Sequence, residues 1–139
     1  MRKRVTVFVG ATVLVAALVL SVFGAQAQMR RGGARGMVRM ACNIEGLWAE
    51  LAFGAKLDDA KLAKLRPAFQ KAWDERAKIG QDVTSREDIP EAFPKLDKIG
   101  TALLDNVKKG TTEEEFGKLS SWIQNQNEML DRIREAIGA

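Results

Sequence analysis

The chain contains no histidine, no tyrosine, one cysteine and three prolines in 139 residues. Each shortage removes a class of chemistry. Without an imidazole, Cys42 has no neighbouring base to make it a thiolate, and the usual nucleophile and base pairs of hydrolases and transferases cannot be assembled. A tetrahedral zinc site would have to be built from carboxylates and a single sulfur, which structural zinc does not favour. One cysteine makes no intramolecular disulfide; in an exported chain it either bridges to a partner or a second copy, or serves as a small apolar residue beside Ile44. Carboxylate clusters remain, at Asp58-Asp59, Asp74-Glu75 and Glu113 to Glu115. Their positions suit helix caps and solvated helix faces better than acid and base catalysis, so no enzyme, metal or cofactor is expected. Alternating strand patterns and glycine-rich phosphate loops are also missing, which leaves an all-α class.

What is present begins with a basic head, Arg2-Lys3-Arg4, an uncharged apolar run from Val5 to Gly24, and Ala25-Gln26-Ala27. This reads as a signal peptide over residues 1–27, cleaved after Ala27, and places the protein in the periplasm or otherwise outside the cytoplasm. An uncleaved membrane anchor is the alternative, because a run of roughly 20 apolar residues also spans a bilayer. The signal carries three of the 22 basic residues and no acid, so 19 basic residues face 18 acidic ones in the mature chain. Its length suits one domain, residues 42–139. Arg30, Arg31, Arg35 and Arg39 precede that domain in an Arg- and Gly-rich stretch, residues 28–41, expected to be a disordered tail that touches acidic lipid headgroups or an acidic partner. The body itself is mildly acidic, which argues against nucleic acid.

Four helices are expected. Asn43 caps a short one carrying Ile44, Leu47, Trp48 and Leu51, closed by Gly54 in a left-handed conformation. The longest runs from Lys56 to Ile79, with Asp58 or Asp59 as cap, Leu62, Leu65, Phe69, Ala72 and Ile79 in its seam if Arg76 is included, and a kink at Pro67. After a turn over Gln81 to Pro90, a third buries Phe93, Leu96, Ile99, Leu103 and Val107 and stops at Lys108-Lys109-Gly110. Thr111-Thr112-Glu113-Glu114-Glu115 is a capping box that opens the fourth, running to Ile137 with Gln126 as a polar interruption that sets register, marks a dimer contact or meets solvent. The natural packing sets the two long helices, Lys56 to Ile79 and Thr112 to Ile137, lengthwise against each other.

On the long helix Arg66 and Arg76 flank Phe69 and Trp73. Either this is a basic and aromatic surface that grips unfolded or acidic chains, or Phe69 and Trp73 are core and the guanidinium heads reach water. Leu57-Asp58-Asp59-Ala60-Lys61, leading into KLRPAFQKAWDERAKI, resembles the LTxxQ motif that opens a long helix in the Spy and CpxP group of small periplasmic proteins. Leu57 matches the leucine, Asp58 stands for the threonine as another good cap, and Lys61 stands for the glutamine. The likeness covers about Leu47 to Ile79, without a second motif near Gly110. It implies a curved all-α homodimer that works without ATP as a chaperone or envelope-stress accessory and binds unfolded or envelope proteins. A helical module docking on one partner, anchored by an uncleaved N-terminal helix, is the second expectation.

Overall fold

A computed structural model describes residues 33–138, so the expected signal peptide and the first residues of the expected tail lie outside the described residues. Every regular element among the described residues is helical, and there are six helices rather than four. They are α1 (33–41), α2 (Ile44–Ala49, continued by a π turn over Glu50–Gly54), α3 (Asp59–Asp82), α4 (Ile89–Gly110), α5 (Glu113–Gly117) and α6 (Ser120–Ile137).

The helical state of 33–41 corrects the expected disorder. Ala34, Val38 and Ala41 recur at four- and three-residue steps, and all three are buried in the common core. That narrow stripe is enough to dock a two-turn helix, although glycine and arginine dominate the composition around it. Gln126 on α6 fixes its end, donating from Nε2 to the Met40 carbonyl at 2.8 Å. The polar residue in the apolar seam of α6 thus ties α6 to α1.

Asn43 caps α2 as expected, its Oδ1 accepting from the Gly46 amide at 2.9 Å. The π turn that follows widens the helix, with the Ala55 amide bonding back to the Glu50 carbonyl. It buries Leu51 and turns Phe53 outward, leaving that ring 79% exposed. The left-handed residue after it is Lys56, with φ of 53°, and not Gly54. Asp58 then opens α3 by accepting from the Lys61 amide at 2.8 Å, and the helix continues through Pro67 without a break.

The long partner of α3 is α4, not the C-terminal helix. Gly110, at the end of α4, lies against Leu65 near the start of α3; a Cβ there would fall 2.7 Å from Leu65 Cδ2, so the pair is antiparallel and glycine permits its close approach. The connection is held by Asp88, whose carboxylate accepts from the Thr84 and Ser85 amides and is thereby kept below the usual carboxylate range. Ile89 adopts helical angles in spite of Pro90, because Pro90 sits in the first turn of α4, where no amide partner is needed, and burial of Ile89 rewards the geometry. The buried set of α4 includes Phe93, Leu96, Ile99, Leu103 and Val107, as its periodicity indicates.

The expected fourth helix is divided. Thr112 and Glu115 form the capping box, but the turn after Gly117 tightens, with the Leu119 amide bonding to the Phe116 carbonyl, and carries Leu119 fully into the core. From there α6 runs back toward the start of α4, to which Arg134 ties it by pairing with Asp97 at 3.3 Å and lying over the Phe93 ring.

Candidate functional site

Arg76 is 6% exposed, the one charged residue in the buried interior among the described residues. Its guanidinium makes three hydrogen bonds. Nη1 donates to the Cys42 carbonyl at 2.9 Å and to Glu45 Oε2 at 2.6 Å, while Nη2 donates to Glu45 Oε1 at 2.7 Å. A planar fork meeting both oxygens of one carboxylate is the geometry that arginine supplies and lysine cannot. The two hydrogen bonds from Arg76 hold the Glu45 carboxyl below its ordinary range, and nearby Arg39 adds a smaller pull in the same direction.

Trp73 lies one turn earlier on α3 and is 45% exposed, with Arg76 stacked on its ring at 4.7 Å from the centroid. This inverts the expectation that Trp73 is core while Arg76 reaches water. The arginine has the better claim to the interior because Glu45 and the Cys42 carbonyl, which also accepts from the Ile44 amide, satisfy it there. Phe69 is buried as expected and meets the half-buried Trp48 edge-on, with ring centroids 4.9 Å apart. Arg66 is exposed and borders the same open cleft, of about 470 Å³, that Trp48, Phe69 and Trp73 line. Thus Arg66, Phe69 and Trp73 do share one surface, and Arg76 underlies it.

Trp73 also forms a wall of a second open cleft, of about 440 Å³, where α1 crosses α3 and Arg35 and Arg39 project. Glu45 and Trp48 were not singled out as site residues from sequence, and Arg35 and Arg39, expected to meet acidic lipid or an acidic partner from a disordered tail, instead stand on a helix beside Trp73. The signal for the last two was their four-residue spacing, which places them together on α1 once that segment is recognised as a helix.

The motif residues occupy a different place. Leu57 is buried, Asp58 caps α3, and Lys61 reaches across to Glu115 of the α5 capping box. Lys61 holds the Glu115 carboxyl below its usual range, and Glu115 raises the lysine in turn. Twelve residues of helix separate Lys61 from Trp73, roughly 18 Å along the axis. The motif therefore joins the openings of two helices and does not touch the aromatic face.

Cys42 is 2% exposed and lines a small cavity of about 90 Å³ between α2, α4 and α6. Burial pushes its thiol up to about 11, with Arg76 opposing weakly. In this fold the sulfur is closed off from solvent, the position of a small apolar residue beside Ile44. What the α1–α2–α3 face offers is contact: aromatic area, fixed guanidinium charge and open clefts on either side of one indole. Compared with known proteins, the chain matches no family model, no curated protein and no solved structure.

Proposed function

We propose that the protein is an exported, chaperone-like binding protein that shields apolar segments of unfolded or envelope proteins without ATP, in the manner its LTxxQ-like opening implies. Trp73 carries this reading. A large ring left 45% exposed on a helix, held over a buried arginine and flanked by Phe69 and Arg66, is contact area prepared in advance at little cost in side-chain freedom. Weak binding to many chains needs a broad amphiphilic surface of this kind and no reactive group. In this reading the chain acts as a periplasmic homodimer, with Gln28 as its first residue after cleavage.

The test is aggregation of an unrelated, urea-unfolded protein on dilution, followed by light scattering with the purified exported protein present. Suppression at near-stoichiometric amounts is expected. Absence of suppression at about tenfold excess, an excess that saturates even a weak micromolar site at ordinary protein concentrations, would overturn the proposal. A pull-down that returned one stable partner would instead favour a helical docking module.

A further inference from the structure

We infer that the face around Trp73 selects polypeptide segments in which acidic residues alternate with bulky apolar ones. This rests on the binding function proposed above and names the chemistry of what is bound.

The cleft between α1 and α3 is lined by Arg35, Arg39 and Arg76 and by no carboxylate. Arg76 is committed to Glu45 and the Cys42 carbonyl. Arg35 and Arg39 enter no ion pair among the described residues, and neither does Arg66 at the rim of the neighbouring cleft. Two arginines four residues apart on one short helix repel each other, and a carboxylate placed between them relieves that repulsion. On the other side of Trp73, the half-buried ring of Trp48, backed by the buried Phe69, offers an apolar surface. One indole therefore separates a cationic site from an apolar one, and a chain lying across it meets both within a few residues.

A purely apolar segment would cover the arginines without pairing them, at a desolvation cost, and a basic segment would be repelled. An extended polyanion fits poorly. Glu45 borders the aromatic cleft, and from Cys42 onward 15 basic residues face 18 acidic ones, so the positive charge is local. Arg35 and Arg39 also line a concavity, whereas a lipid surface calls for charge on a projecting or flat face.

The experiment uses fluorescein-labelled peptides of one length, with Leu and Phe at fixed positions and Glu, Gln or Lys at the positions between, titrated with the full exported chain and read by anisotropy. The Glu peptide is expected to bind about tenfold more tightly than the Gln peptide, with the advantage shrinking as salt is added. R35Q/R39Q, whose positions are exposed and whose helicity is checked by circular dichroism, brings the Glu peptide to the affinity of the Gln peptide. R35K/R39K keeps most of the preference. Equal affinity for all three peptides, with aggregation still suppressed, overturns the selectivity and leaves the chaperone function standing. Failure of every peptide together with failure to suppress aggregation overturns both. Binding to phosphatidylglycerol vesicles but not to the Glu peptide assigns the arginines to lipid and also overturns the inference.

Discussion

Arg76 on α3 and Glu45 on α2 meet through a two-pronged ion pair of 2.6 Å and 2.7 Å, and this pair decides which side chain of the long helix is buried and which is presented. With the guanidinium held inward, the indole of Trp73 is held outward above it. The exposed position of the indole is thus a consequence of an interior polar contact.

Removing the arginine should therefore cost more than an exposed ion pair. R76A leaves the Cys42 carbonyl without this donor and opens space beneath Trp73, and a loss of about 3 kcal/mol in urea unfolding is expected. E45Q keeps part of the geometry on a half-exposed side chain and should cost about 1 kcal/mol.

Acid sensitivity follows from the same pair. Glu45 ionises more readily folded than unfolded, so its contribution is complete above its ordinary value of 4.5 and is lost as pH falls through the lower folded value. Asp88 and Glu115 are lowered too and keep the protein acid-sensitive in E45Q. The difference in stability between wild type and E45Q should shrink as pH drops below 4.5, measured by urea titrations at stepped pH.

Cys42 should behave as an interior residue. A thiol raised to about 11 and closed off from solvent reacts only when the chain opens. Labelling by a disulfide reagent near neutral pH should run at least about a hundredfold slower than for a free thiol and rise sharply in denaturant. Non-reducing electrophoresis of protein unfolded in the presence of an alkylating agent should show no covalent dimer.

Lys56 is the one residue other than glycine with a left-handed backbone among the described residues. Its side chain is exposed, so K56G relieves the clash between Cβ and carbonyl without loss of packing. The gain, about 1–2 kcal/mol in the folded state, is reduced by the greater freedom of glycine in the unfolded chain. A net rise of about 0.5 kcal/mol in thermal or urea unfolding is expected.

Much of the local structure was legible because it depends on neighbours in sequence. Asn43, Asp58 and Thr112 cap where their side chains and following residues say they should, and the apolar beat of α4 names its own buried face. Tertiary choices were not legible in the same way. The stripe Ala34, Val38 and Ala41 is hidden in a composition that signals disorder, and only the presence of a core to receive it makes it a helix. The beat of α3 counts position 76 in its seam, but an arginine can stay there only because Glu45, 31 residues away, meets it, and periodicity does not report a partner. The preference of α3 for α4 over α6 reflects the antiparallel hairpin made by their short connection, together with the tight turn at Leu119 that spoils a single long C-terminal rod.

The same reasoning makes α1 part of the domain. V38D places an unpaired carboxylate in the core and should cost about 2–3 kcal/mol, while Q126A removes one bond to a backbone carbonyl and should cost about 1 kcal/mol. Both should raise amide exchange across 33–41 before the rest of the molecule, as seen by mass spectrometry.

Whether unfolded chains are gripped at the indole can be read from a photo-crosslinking amino acid placed at position 73 and, separately, at Asp105, an exposed residue of α4. Each protein is mixed with the same urea-unfolded client on dilution and illuminated. Crosslinked client is expected from position 73 and little from position 105. Equal yields from both positions, or client captured at 105 and not at 73, would contradict a binding face built around Trp73.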